Sequence, residues 1–210
     1  MTRPVIYLAS QSPRRSRLLR QLGIEFITLP VRIEEHWDAH ESPPRYVERL
    51  ALEKALAGWH QASRPLPVLG ADTEVVCDAR VLGKPSSPEE AVAMLGRLSG
   101  RAHQVHSAVA IVVPPGNRQE VLVNTTQVFF RALSDAERLR YVATNEPCGK
   151  AGGYAIQGLA AAFIERIEGS YTGVMGLPLF ETAALLERAG IGSFPTPIRD
   201  PTTGSADGFD

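Results

Sequence analysis

The chain has 210 residues, 44% hydrophobic and 21% charged, with a net charge of −1 at neutral pH: enough for a sizeable core of ordinary globular composition. That charge balance excludes the broad basic surface of a nucleic-acid coat, so any positive site has to be local. Cys77 and Cys148 have neither metal nor redox spacing, no apolar run spans a membrane, and the start lacks a signal-peptide shape; a cytoplasmic protein without a membrane partner is expected.

Residues 5–9 predict a buried strand. A helix follows, with Ser12 as N-cap, Pro13 at its first position, Gly23 as its stop, and Leu18, Leu19 and Leu22 as its buried stripe. A second helix is expected from Ser42-Pro43-Pro44 through Ala57, with Tyr46, Val47, Leu50 and Ala51 at helical spacing. Residues 68–77 form a strand pattern that turns at Asp78-Ala79-Arg80 into Val81-Leu82. Ser87-Pro88-Glu89-Glu90 is a capping box opening a helix that Gly100 closes. Strand patterns at 103–113 and 120–130 flank the turn Pro114-Pro115-Gly116-Asn117. Ser134 and Glu137 cap a helix ending near Asn145. The glycine-rich segment "GKAGGYAIQG" then leads to a strand at 161–167, and a last helix covers about 178–189. The residues from Pro195 onward cannot build a core, which predicts a single domain over 1–194 and a disordered tail over 195–210. There is no internal repeat, and the mixture of elements predicts an α/β fold with a mixed sheet.

The first helix carries charges that its own dipole disfavours. In "SQSPRRSRLLRQLG", Arg14, Arg15 and Arg17 crowd the first turn. Either they splay into water, or a bound anion offsets their repulsion, with the hydroxyls of Ser10 and Ser12 in reach. A strand, a short turn and a helix N-terminus make such an anion site. Lys54 shares the largely apolar face of Tyr46 and Leu50, and either snorkels or is aimed at an anion. Lys84 in "GKP" and Lys150 in "GKAGG" add cations beside flexible backbone.

Asp72 is the strongest candidate. Its surroundings in "PVLGADTEVVC" are apolar, strand alternation puts Glu74 on the same face, and a buried carboxylate needs a cation, a proton or a metal. Glu34 and Glu35 either lie in a solvated loop or supply further oxygens. Carboxylates with phosphate suit Mg²⁺ or Mn²⁺. His36 and His40 fall in a loop and do not read as a zinc site, while His103 and His106 lie on opposite faces of a strand. No Ser-His-Asp arrangement, Walker A loop or Rossmann fingerprint is present.

"LASQSPRRSRLLRQLGIEF" resembles the opening signature of the Maf family of nucleotide pyrophosphatases. The resemblance continues in the family's order through "YVERLALEKA", "VLGADTEVV", "GKP", "MLGRLSGRAHQV", "EPCGKAGGYAIQG", "FIERIEGSY" and "VMGLPLFET". It implies an elongated α/β fold similar to that of inosine triphosphate pyrophosphatases, with a cleft between two lobes. It also implies metal-dependent hydrolysis of a nucleoside triphosphate to the monophosphate and pyrophosphate. By that resemblance Asp72 is the general base and, with Glu35, a metal ligand. Arg14, Thr73 and Gln157 set substrate choice, and Ser10, Arg15, Lys54 and Lys84 bind phosphate.

"KAGGYAIQG" looks like the branch acting on dTTP and UTP. The branch acting on 7-methyl-GTP has Glu in place of Gln157, and that activity is the alternative. Gly149 stands where many members have Asp, and Ser107 where Thr is frequent. A non-catalytic nucleotide-binding role in septum formation is the rival of another class. Asp72 speaks against it, because a pure anion binder gains nothing from a carboxylate near phosphates. A homodimer is left open.

Overall fold

The protein, seen in a computed structural model, is described over residues 5–38 and 40–192. The expected tail at 195–210 lies outside them. Strand β1 (Ile6–Ala9) is buried throughout because it has parallel neighbours on both sides, β2 (Phe26–Leu29) and β3 (Val68–Cys77). β2 is not among the expected elements. Short and only half-buried, it lacks any strong pattern of its own, and pairing with β1 defines it.

Helix α1 (Pro13–Gln21) lies between β1 and β2, and α2 (Pro43–Gln61) runs a turn past the expected end at Ala57. β3 turns through Asp78 and Ala79, both at positive φ, into β4 (Arg80–Leu82). Then come α3 (Pro88–Leu98), β5 (Ala102–Val113), β6 (Arg118–Phe130) and α4 (Asp135–Val142), near their expected places. The strand expected at 161–167 is shorter: Leu159–Phe163 form 3₁₀ turns, and β7 covers only Ile164–Glu168. Helix α5 (Tyr171–Met175), too short to show a period, precedes α6 (Leu179–Arg188). No helix among the described residues is long and apolar enough to cross a membrane.

The capping expectations divide. Ser134 and Glu137 complete a reciprocal box, whereas Ser87 accepts from the Glu90 N–H while the Glu90 carboxylate turns to Ser86. Ser12 and Ser42 have extended backbones at their caps but make no side-chain cap bond.

The sheet has the order β2-β1-β3-β5-β6-β7, with β4 also on β3. It is mixed: the β1 pairings are parallel and the rest antiparallel. Alternation in β5 divides the core. Ala108, Ala110 and Val112 pack under α2 with Val47, Ala51 and Ala55, while Val105, Val109, Ile111 and Val113 join the larger core on the other face. α2 lies very close to β3. A Cβ on Gly70 would sit 2.4 Å from the Ala51 carbonyl oxygen and 2.5 Å from the Ala55 nitrogen. The small residues Ala51, Ala55 and Gly70 therefore let a helix touch a strand backbone to backbone.

One edge of β3 is interrupted. β1 pairs with it only at Val68 and Leu69, and β4 takes up the same edge from Val75 to Cys77. Residues 70–74 have no strand partner there among the described residues, although β5 pairs with the opposite edge along the whole stretch. The site is at this gap.

Candidate active site

Asp72 and Glu74 point from β3 toward α2, and Thr73 points the other way. Because the strand edge is open between them, all three line one cavity of about 530 Å³. Asp72 is buried and accepts a hydrogen bond on Oδ1 from Lys54 Nζ at 2.5 Å. Lys54 also donates to Glu35 Oε1 at 2.7 Å, and Lys84 donates to Glu35 Oε2 at 3.3 Å. Lys54, expected to face phosphate, thus serves as the counter-charge that lets Asp72 stay buried, and the close contact of α2 with Gly70 brings it there. Burial pushes Glu35 up, but Lys54 and Lys84 outweigh this and hold it below the ordinary carboxylate value. Glu74 has no such partner among the described residues. Burial, with the nearby charges of Asp72 and Glu35, pushes it up to about 8.

The crowded arginines divide. Arg17 is exposed, whereas Arg14 and Arg15 are half-buried and line the cavity. Arg14 Nε donates to the Met175 carbonyl at 3.3 Å and Arg15 Nε to that of Gly176 at 2.8 Å. These oxygens lie at the C-terminal end of α5, where a helix dipole favours cations. Both guanidiniums are still held below their usual value. Burial is the main cause for each, and Arg14 adds to it at Arg15, where Asp72 opposes it. Ser10 is buried, and its Oγ accepts from the Ser12 N–H at 3.1 Å. Since Ser12 does not cap α1 with its side chain, the N–H groups of the first turn are left for a ligand.

Thr73 Oγ1 lies 2.9 Å from Ser107 Oγ, and Ser107 donates to the Gly173 carbonyl at 2.6 Å. Ser107 has one proton and spends it there, so Thr73 donates to Ser107 and keeps acceptor capacity. Gln157 is exposed on the cavity wall and makes no side-chain hydrogen bond among the described residues. Lys150 also lines the cavity, held below its ordinary value by burial and then by Arg14.

All the expected site residues therefore line one cavity: Ser10, Arg14, Arg15, Glu35, Lys54, Asp72, Thr73, Lys84 and Gln157. Three more side chains were not assigned a role from sequence. Glu74 and Lys150 were visible through strand alternation and through charge beside glycines, whereas Arg32 in its loop gave no signal. His36 and His40 instead border a surface depression in which Arg49 pairs with Glu41.

A divalent cation fits in a restricted sense. No three His, Cys, Asp or Glu side chains among the described residues form a metal cluster. Asp72 Oδ2 and Glu74 Oε2, however, are buried carboxylate oxygens without a hydrogen-bond partner, and Glu35 is joined to Asp72 through Lys54. This donor set suits Mg²⁺ or Mn²⁺ that gains its remaining ligands from substrate phosphates and water.

A buried carboxylate at an open strand edge, facing six basic side chains (Arg14, Arg15, Arg32, Lys54, Lys84 and Lys150), defines an α/β protein with a cleft suited to a polyanion. The family model for Maf-like proteins matches residues 5–189, and the chain belongs to that family. A dTTP/UTP pyrophosphatase of Saccharophagus degradans is 51% identical over 87% of this chain and 87% of its own length. One from Aromatoleum aromaticum is 52% identical over 88% and 95%. Among solved structures, a nucleoside-triphosphatase / dITP/XTP pyrophosphatase of Mycobacterium abscessus aligns over 60% of this chain and 73% of that one, at 23% identity and a TM-score of 0.41.

Proposed function

We propose that this protein hydrolyses dTTP and UTP to the nucleoside monophosphate and pyrophosphate. The observation that carries the proposal is Asp72, with one oxygen on Lys54 and the other without a partner, in a cavity of basic side chains. The names of the two relatives above point to the same reaction.

Water attacks the α-phosphorus, Asp72 takes its proton, and the bond from that phosphorus to the oxygen bridging to the β-phosphate breaks, releasing pyrophosphate. Arg14, Arg15, Lys84 and the N–H groups at the start of α1 stabilise charge on the phosphoryl oxygens and the leaving group. Lys54 holds Asp72 in place through the hydrogen bond to Oδ1. An ordinary Asp is a weak base at neutral pH. A bound Mg²⁺ or Mn²⁺, held by Asp72, Glu35 and the substrate phosphates, would supply the acidity that the attacking water lacks.

Gln157, Thr73 and Arg14 read the base. Uracil and thymine present a carbonyl beside an N3–H, and a Gln amide complements both, whereas a Glu carboxylate only accepts. This argues for the pyrimidine substrates over 7-methyl-GTP. The partner is a nucleotide and not a nucleic acid, and the free thiols Cys77 and Cys148 suit the reducing cytoplasm. A panel of nucleoside triphosphates with Mg²⁺ or Mn²⁺, assayed for pyrophosphate release, tests the proposal. Turnover should be greatest with dTTP and UTP. Binding without release of pyrophosphate would instead support the regulatory role.

A further inference from the structure

We propose that Glu146, which lies outside the cavity lining, is a positioning residue that holds the 146–160 loop so that Gln157 meets the base. The inference rests on the assignment of Gln157 as base reader.

Gln157 does not tie down its own loop, because its side chain has no hydrogen-bond partner among the described residues and is exposed. The loop is closed by Glu146. Its Oε1 accepts from the Tyr141 hydroxyl at 2.8 Å and from the Ala160 N–H at 3.2 Å, and its Oε2 accepts from the Leu159 N–H at 2.9 Å. The Tyr141 hydroxyl in turn accepts from the Ala155 N–H at 3.3 Å. One carboxylate, directly or through Tyr141, thus fixes the backbone two residues before Gln157 and two residues after it.

Lys150 grips the same corner, with Nζ donating to the Glu146 carbonyl at 2.5 Å. Gly158 leaves room for the arrangement: a Cβ there would come within 2.3 Å of Glu146 Oε2. Burial pushes the Glu146 carboxyl up, but the N–H groups of Leu159 and Ala160 and the Tyr141 hydroxyl outweigh this, so it accepts as an ionised group. An amide that must present both N–H₂ and C=O to one base edge is sensitive to displacement of its backbone, because a shift of about 1 Å breaks one bond of the pair.

The test is a double-substitution cycle on the full chain, using Glu146→Ala, Gln157→Ala and the pair together. Steady-state kinetics with dTTP and the rise in Tm caused by pyrophosphate are the two readouts. Each single change should lower kcat/KM for dTTP by ~10-fold, mainly through KM, the effect of one lost buried hydrogen bond. The double variant should match Gln157→Ala within about twofold, because both changes remove one interaction. The pyrophosphate shift should persist, since the phosphate end does not depend on the loop's anchor.

Losses that multiply, a Glu146→Ala variant equal to the parent, or a lost pyrophosphate shift would each overturn the positioning role. Should Glu146→Ala fail to fold, the same cycle with Glu146→Gln decides, since the amide keeps the shape with a weaker acceptor. Unchanged dTTP turnover in Gln157→Ala is a separate outcome. It overturns the base-reader assignment, and the role of Glu146 falls with it.

Discussion

At Asp72 the two carboxylate oxygens have different surroundings. Oδ1 is held by Lys54, whereas Oδ2 is buried and has no hydrogen-bond partner among the described residues. Asp72→Asn keeps the shape but removes the proton acceptor, so kcat should fall at least ~10²-fold while nucleotide binding persists. Near-normal turnover by the folded variant would reject Asp72 as the base. Gln157→Glu should cost ~1–3 kcal/mol in kcat/KM for dTTP and UTP, and less for guanine nucleotides, whose N1–H and N2–H₂ suit a carboxylate. An equal loss on every nucleotide would refute base reading by that side chain.

His103 belongs to stability and not to chemistry. It packs edge-on against Phe130 and Tyr154, and its Nε2 lies 2.8 Å from the Tyr154 hydroxyl. Burial pushes it down from 6.5 to about 4. The unfolded chain therefore takes up this proton first as the pH falls. The stability supplied by neutral His103 is complete above pH 6.5 and is lost, to a total of about 3 kcal/mol, on going down to pH 4. Denaturant melts of the parent and His103→Gln should converge over that window. Parallel curves would mean that another group titrates.

At the scale of elements, the charges of α1 make sense only beside α5. The arginines crowd a helix N-terminus, yet two of them reach the carbonyls that end another helix, and the third stays in water. The contact of α2 with β3 is the second element-scale device. Gly70→Ala forces a methyl group against the α2 backbone, so stability should drop by ~1–3 kcal/mol and kcat should fall as Lys54 moves away from Asp72. Thermal melts and dTTP turnover measure the two effects. A stable, fully active variant would show that the two backbones have room to part.

At the scale of the whole molecule, the cavity is assembled from the start of α1, the loop carrying Glu35, α2, β3, Lys84 just beyond β4, the 146–160 loop and the end of α5. A ligand that bridges these parts binds only the folded chain. Pyrophosphate should therefore raise Tm with concentration, and Arg15→Ala should diminish the rise. A shift of undiminished size would place the phosphate site elsewhere.

Much of this was written locally. The motifs around Ser10, Asp72, Lys84 and Gln157 identified the family, and the β3–β4 and β5–β6 hairpins followed from alternation and turn residues. Such features depend on near neighbours in the chain, which a sequence displays directly. β2 and α5 were not legible, because short segments show no period, and their form comes from pairing and packing with distant residues. The same holds for the site's internal bonds. That Lys54 clasps two carboxylates, that Ser12 leaves its helix uncapped, and that Glu146 closes the loop around Gln157 all depend on which backbones approach. Residue types and spacing determined what chemistry is available. The open edge of β3 between β1 and β4, a property of sheet pairing alone, decided where it converges, because there the successive residues Asp72, Thr73 and Glu74 of one strand face a common cavity.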